Sequence, residues 1–110
     1  MMHTCLICIG SNYDRENKVR FARERLTAFF PTVTFEEERE TEPVNLSNPA
    51  LFTNQIGVFT TAISKEEVTR ILKEIEYEAG RRASDKEEEK IVLDIDLIQY
   101  DEMLLKSLII

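Results

Sequence analysis

The feature that most constrains the fold is a ten-residue stretch near the end of the chain, residues 91–100, which read IVLDIDLIQY. Side chains of a β-strand point alternately to its two faces, and this stretch alternates in the same way. Asp94 and Asp96 occupy even positions. The first four odd positions are apolar: Ile91, Leu93, Ile95 and Leu97. The pattern predicts a strand with its odd residues on the core and both aspartates on the opposite face.

Two carboxylates on one strand face can serve as metal ligands. Residues at i and i+2 stand roughly 6–7 Å apart along a strand. Hard divalent cations prefer carboxylate oxygens, and this separation suits one cation or two cations bridged by phosphate oxygens. The same pattern is also typical of a half-exposed strand with a plain polar outer face. The stretch alone leaves both interpretations open.

Length and charge narrow the class of protein. The 110 residues, 43% hydrophobic and 32% charged, are typical of one globular domain. A net charge of −7 argues against a nucleic-acid binder or a binder of anionic membranes, because phosphate groups repel an acidic surface. The apolar run near the N-terminus is too short for a signal peptide or a membrane span. We therefore expect a cytoplasmic protein.

The two cysteines, Cys5 and Cys8, have the C-x-x-C spacing found in zinc and redox sites. They fall in an apolar run that predicts a buried strand, where residues three apart face opposite sides. His3 is the only histidine, so the usual Cys and His ligands cannot complete a zinc site. The sequence therefore predicts two plain buried thiols.

The remaining chain divides into alternating strands and helices. The patterns predict strands at residues 4–9, 32–41, 54–63 and 91–100, and helices beginning near Asp14 and at Ser64. The first helix has an apolar stripe and ends before Pro31. The second has a capping box, Ser64 and Glu67, and a C-terminal glycine, Gly80. The apolar stripes are Val19, Ala22, Leu26 and Phe29 in the first helix, and Val68, Ile71, Leu72, Ile75 and Ala79 in the second.

This β-α-β-β-α-β order predicts an α+β, ferredoxin-like sandwich. We expect a four-stranded antiparallel sheet with both helices on one face, and with the first and last strands side by side at its centre. Asp94 and Asp96 then lie on the helix-free face. The connections at residues 42–53 and 81–90 are expected to border that face.

Five separated segments resemble one enzyme family, the 6-hydroxymethyl-7,8-dihydropterin pyrophosphokinases of folate biosynthesis. In order they are CIGSN (8–12), ETEP (40–43), LFTNQIGVFTT (51–61), IEYEAGR (75–81) and LDIDLIQYDE (93–102). The resemblance implies a ferredoxin-like domain that transfers the pyrophosphoryl group of ATP to a pterin hydroxymethyl group. The expected small molecules are therefore a pterin, ATP and Mg²⁺.

The resemblance also implies site residues. Asp94 and Asp96 match the two magnesium ligands, and together with Arg81 and Lys90 they form the predicted catalytic set. The predicted nucleotide-binding residues are Glu76, Arg81, Arg82 and Leu97. The predicted pterin-binding residues are Thr41, Pro43, Val44, Phe52 and Asn54. Asn54 can both donate to and accept from the polar edge of the pterin, and Phe52 can stack on its ring.

The chain departs from the family pattern near the aspartates. It has no tryptophan, and Ile91 stands where the family has an arginine, with Lys90 beside it. Residues 87–89 are three glutamates. We expect one domain over residues 1–110 without the family's C-terminal segment. Three hypotheses stay open: a working pyrophosphokinase, a non-catalytic relative that binds a pterin-like ligand, and an interaction module whose apolar tail, residues 103–110, binds a partner or a second copy.

Overall fold

The computed structural model describes residues 1–42 and 50–106, except for the side chains of residues 86–88. A 3-10 helix, Ala83–Glu88, lies in the connection that the sequence predicted as a polar loop. The α+β class is confirmed. The strands and helices are β1 (His3–Ser11), α1 (Arg15–Phe29), β2 (Thr34–Phe35), β3 (Arg39–Thr41), β4 (Phe52–Thr61), α2 (Lys65–Glu78), β5 (Asp94–Tyr100) and β6 (Met103–Leu104).

The strands form one antiparallel sheet in the order β2-β4-β1-β5-β6, and β3 also pairs with β4. The prediction that the first strand lies beside the aspartate strand is confirmed, because β1 pairs with β5. The predicted count of four strands is wrong, since the described part of the chain contributes six.

The two additional strands have separate origins. The predicted edge strand at residues 32–41 is divided into β2 and β3, which pair with different parts of β4. Between them, Glu36 N still donates to Ile56 O at 2.9 Å, but the regular pairing is interrupted at exposed glutamates. At the other end, the chain turns at Asp101, whose φ is 53°, and β6 pairs with the end of β5.

Both helices pack on the same face of the sheet. Their buried residues form one cluster with alternate residues of the central strands. From the helices it contains Val19, Ala22, Leu26, Val68, Ile71, Leu72, Ile75 and Ala79, and from β1 and β5 it contains Cys5, Ile7, Ile9, Ile95 and Leu97. The predicted caps of α2 are present, because Glu67 N donates to Ser64 Oγ at 3.2 Å and Gly80 has a φ of 107°.

Two core predictions are wrong. Phe29 was predicted on the buried stripe of α1, but it is exposed, and the next residue, Phe30, is buried and stacks on Phe59 with ring centroids 4.0 Å apart. Ile91 was predicted to face the core, but it is half-buried, and Val92 joins the core instead. The reason is that regular pairing of β5 begins only at Asp94, so strand alternation does not extend back to Ile91.

The apolar tail is partly described. Leu105 packs against the core, whereas Met103 and Leu104 are exposed. Residues 107–110 lie outside the described residues, as do Pro43 and Val44 of the predicted pterin pocket. The hypothesis of a partner or second copy at the tail therefore stays a prediction.

Candidate active site

Asp94 and Asp96 lie on the helix-free face of the sheet. In the β1–β5 pairing, Asp96 is opposite Cys8 and Asp94 is opposite Gly10. Directly opposed residues share a face, and Cys5, Ile7 and Ile9 of β1 occupy the core side. Both carboxylates therefore face away from the helices, although α2 reaches them around the outer edge of β5.

Each aspartate has a cationic partner. Arg81 Nη1 donates to Asp94 Oδ1 at 3.0 Å, to Leu93 O at 3.2 Å, and also lies 3.1 Å from Glu76 Oε1. Lys106 Nζ donates to Asp96 Oδ1 at 2.6 Å. Arg81 was predicted from the sequence, whereas Lys106 was not. The side chain of Asp94 is 37% exposed and that of Asp96 is 31% exposed, so both remain accessible to a ligand.

Glu76 connects α2 to the edge of β5. Its Oε2 accepts a hydrogen bond from Ile95 N at 2.8 Å. Within residues 1–42 and 50–106, no strand pairs with β5 at this level on its outer side, because β6 pairs with Gln99 and Tyr100. Glu76 thus satisfies a backbone donor of the sheet edge and orients Arg81, in addition to lining the cavity beside the aspartates.

Burial dominates the electrostatics of these carboxyl groups. It raises the pKa of Asp94, the charge of Asp96 raises it further, and the guanidinium of Arg81 opposes both effects. Burial also raises the pKa of Glu76, while the hydrogen bond from Ile95 N and the charge of Arg81 act against it. Crowded carboxylates of this kind favour the approach of a cation, which relieves their mutual repulsion.

The donor set fits a magnesium ion held mainly by non-protein oxygens. Mg²⁺ is typically bound by one or two carboxylates, with waters and substrate phosphates completing its octahedron. Asp94 and Asp96 supply such a pair. Among the described residues, no group of three or more His, Cys, Asp or Glu side chains is arranged to hold a metal ion. The arrangement therefore matches a site that is completed by a phosphate-bearing substrate.

A cavity of about 550 Å³ runs along the outer edge of β5 between α2 and the segment after β6. Asp94 and Asp96 line it together with three predicted nucleotide-binding residues, Glu76, Arg81 and Leu97. Its lining also includes four cations: Lys65, Lys73, Arg81 and Lys106. Four carboxylates, those of Glu66, Glu76, Asp94 and Asp96, line the same cavity, so a polyanion would bind here together with a metal cation at the aspartates.

The described pterin-binding candidates lie together on the same sheet face. Asn54 Nδ2 donates to Thr41 Oγ1 at 2.7 Å, and Thr41 is opposite Phe52 in the β3–β4 pairing. Asn54 is opposite Gly10, which is in turn opposite Asp94. With strands about 4.8 Å apart, Asn54 and Asp94 are separated by roughly 10 Å across β1.

Gly10 lies between Asn54 and Asp94 on the sheet and has no side chain. A Cβ at this position would lie 3.3 Å from Asn54 Oδ1, so even a methyl group would crowd the amide. The absence of a side chain keeps the sheet surface open between Asn54 and Asp94. A flat ligand can therefore lie across β1 and contact both.

Lys90 and Arg82 were predicted near the phosphates, but they contact other residues. Lys90 Nζ is 3.7 Å from Asp85 Oδ1 and 4.5 Å from the ring centroid of Tyr13. The Arg82 guanidinium stacks on Tyr77 at 3.8 Å. Both side chains line a smaller cavity of about 260 Å³ that adjoins the larger one, since Arg81 lines both.

Sequence reasoning missed Lys106 and the role of Asn12. Asn12 was interpreted as part of a turn, but it bonds the end of β1 to residues 89–91: Ile91 N donates to Asn12 Oδ1 at 2.6 Å, and Asn12 Nδ2 donates to Glu89 O at 3.0 Å. Lys106 lies in the tail, residues 103–110, where one serine is the other polar residue. The polar residues Asp101 and Glu102 were the sequence signal for a turn, after which the tail folds back beside β5.

Comparison with known proteins identifies one family. The family model of 7,8-dihydro-6-hydroxymethylpterin-pyrophosphokinase (HPPK) matches residues 6–110. The chain therefore belongs to the HPPK family, a family of pterin pyrophosphokinases of folate biosynthesis that use ATP and Mg²⁺. A search of curated proteins found no significant match. Neither helix of the described chain has the length and apolar character needed to cross a bilayer.

Proposed function

We propose that this chain transfers the pyrophosphoryl group of ATP to the hydroxymethyl group of a 6-hydroxymethyl-7,8-dihydropterin. The observation that carries the proposal is the row Asn54, Gly10 and Asp94 across three adjacent strands. This row joins an amide suited to a pterin edge with a carboxylate suited to Mg²⁺ on one open surface. Its span of roughly 10 Å leaves room for the pterin and the transferred group between them.

The metal-binding and pterin-binding roles would fall to different residues of the site. Asp94 and Asp96 would hold Mg²⁺, which neutralises charge on the ATP phosphates when it is bound. Asn54 is fixed by Thr41 and would orient the pterin, and Phe52 would stack on its ring. In the transfer, the pterin oxygen forms a bond to Pβ, the bond from Pβ to the αβ-bridging oxygen breaks, and AMP leaves. The hydroxymethyl proton is lost to solvent or to a nearby base.

The test is formation of AMP from ATP in the presence of 6-hydroxymethyl-7,8-dihydropterin and Mg²⁺. We expect the wild-type chain to form AMP, and Asp94→Asn to lower kcat by at least about 100-fold because one ligand of the metal is weakened. Asn54→Ala is expected to raise KM for the pterin by about tenfold, the effect of one lost hydrogen bond. Asn17→Ala, on the exposed face of α1, is the matched control and should leave both constants unchanged.

A second candidate is a relative that binds a pterin without transferring pyrophosphate. It is favoured by Ile91, an aliphatic residue where the family has an arginine, since loss of such an arginine can slow phosphoryl transfer by about 10³–10⁵. This candidate predicts pterin binding that depends on Asn54 and Phe52, with no AMP formed. If no pterin binds, or if Asn54→Ala and Phe52→Ala leave binding unchanged, both candidates fail.

A further inference from the structure

Lys106 contacts Asp96, one of the two carboxylates that the proposed function assigns to Mg²⁺. Its Nζ lies 2.6 Å from Asp96 Oδ1, and the segment that carries it is fixed beside β5 because Leu105 N and Lys106 N both donate to Ile98 O. Lysine is ordinarily protonated near neutral pH, so the contact with Asp96 is a hydrogen-bonded ion pair. An ammonium group bonded to this carboxylate offsets part of its negative charge and therefore weakens its attraction for a divalent cation.

The two cations of the aspartate pair are held very differently. Arg81 donates to a backbone carbonyl as well as to Asp94, and it also pairs with Glu76. Lys106 has a 57% exposed side chain whose contact is with Asp96. An ammonium group on a flexible four-carbon stem changes partners more readily than a guanidinium held by several acceptors. Arg81 therefore behaves as a fixed part of the site, and Lys106 as a movable one.

The cavity offers Lys106 a second partner. Lys106 lines it together with Lys65, Lys73 and Arg81, whereas Ile91, at the family's arginine position, lines the smaller adjoining cavity. A bound triphosphate would bring about four negative charges into the larger cavity. An ammonium group that leaves Asp96 would then lie close to phosphate oxygens, which are strong hydrogen-bond acceptors for a lysine.

We propose that Lys106 is an exchangeable cation of this site: it neutralises Asp96 in the empty protein, yields that carboxylate to the metal, and then binds the phosphates of the nucleotide. The inference rests on the proposed function, because it assumes that a metal and a nucleotide share this cavity. It assigns to a lysine outside the predicted site residues part of the charge compensation that Ile91 cannot supply. No covalent step is involved.

The test measures two affinities of Lys106→Gln against wild type. The first is for Mn²⁺ alone, measured by electron paramagnetic resonance. Removing the competing ammonium should tighten Mn²⁺ binding by about two- to fivefold. This ratio corresponds to the free energy of a partly exposed ion pair. The second is for α,β-methylene-ATP at saturating Mg²⁺, measured by calorimetry. Loss of a charged phosphate contact should weaken this binding by about tenfold.

The two affinities thus move in opposite directions. Lys106→Arg keeps the charge and should restore nucleotide affinity to within about threefold of wild type. Arg25→Gln removes one positive charge from α1, where Arg25 pairs with Glu78, and controls for the change in net charge. It should change neither affinity. Thermal unfolding of each variant, followed by circular dichroism, verifies that the exposed substitution leaves the fold intact.

The outcomes separate this inference from the proposed function. If Asp96→Asn loses Mn²⁺ while Lys106→Gln equals wild type in either measurement, the role of Lys106 is overturned and the metal site stands. If Arg25→Gln reproduces the changes of Lys106→Gln, net charge explains them and the role is also overturned. If neither Mn²⁺ nor the nucleotide binds to any variant, the proposed function and this inference fail together.

Discussion

At the scale of single residues, Asp94 and Asp96 differ in their surroundings although the sequence presents them as equivalent. Asp94 is paired with a multiply bonded arginine, and its pKa is raised chiefly by burial. Asp96 is paired with an exposed lysine. Their common face followed from strand alternation, but neither partner could be assigned from spacing, because Arg81 and Lys106 reach them from different elements.

His3 and Asp101 form a hydrogen-bonded pair away from the candidate site. His3 Nδ1 lies 2.6 Å from Asp101 Oδ2, and Thr4 N donates to Asp101 Oδ1 at 2.9 Å. The hydrogen bonds from His3 and Thr4 lower the pKa of Asp101. Because the folded state binds this proton less tightly than the unfolded state, the contribution is present above the unfolded pKa of about 4 and is lost as pH falls through the folded pKa.

Asp101→Asn should therefore lower Tm at pH 7, and the difference from wild type should shrink as pH falls below the unfolded pKa of about 4. Asparagine tolerates the positive φ of this position, so the turn itself is preserved. The measurement is Tm as a function of pH for both proteins. Glu102→Gln, in the same exposed turn, is the control. A constant difference between Asp101→Asn and wild type at all pH values would contradict the electrostatic explanation.

At the scale of elements, helix ends were decided by neighbouring elements as much as by local signals. Pro31 correctly predicts that α1 ends before it, and the Ser64 cap correctly predicts the start of α2. The choice between Phe29 and Phe30 was not local. Phe30 leaves the helix with a φ of −130° and a ψ of 81°, which turns its ring into the core against Phe59.

This pair of neighbours gives a matched test of burial. Phe30→Ala should lower the free energy of unfolding by about 3–5 kcal/mol, because it empties a buried ring position. Phe29→Ala removes the same side chain from an exposed position and should cost less than about 1 kcal/mol. Urea unfolding of the two variants and wild type gives both values. Equal losses would show that Phe29, not Phe30 alone, contributes to the core.

At the scale of the whole molecule, the open sheet face is assembled from strands far apart in sequence. Cys8, Asn54 and Asp96 belong to β1, β4 and β5, and only the pairing of these strands gives them a common surface. Cys5 is buried in the core and Cys8 lies on this face, so the predicted opposite orientation of the two thiols is confirmed. The predicted burial is wrong for Cys8, which is only half-buried because neither α1 nor α2 packs on this face. Burial raises the pKa of both to about 11.

These surroundings predict slow and unequal thiol chemistry. At pH 8 both thiols are almost fully protonated, so alkylation by iodoacetamide should be far slower than for a free cysteine. Cys5 should react only through global unfolding, because it lies in the central strand, whereas Cys8 should react first. Mass spectrometry of the peptides over time, using Cys5→Ser and Cys8→Ser as controls, measures both rates. Faster labelling of Cys5 would contradict its buried position.

The sequence by itself determined the order of the two helices and the main strands, the capping of α2, the two faces of the aspartate strand and, through five separated segments, membership of the HPPK family. These features depend on residues close to one another in the chain, or on motifs that do not require a known contact. Only the tertiary structure decided the six-stranded pairing, the burial of Phe30 and the meeting of Lys106 with Asp96. Each of these depends on which distant segment fills the space beside a strand or helix end, and local periodicity contains no information about that choice.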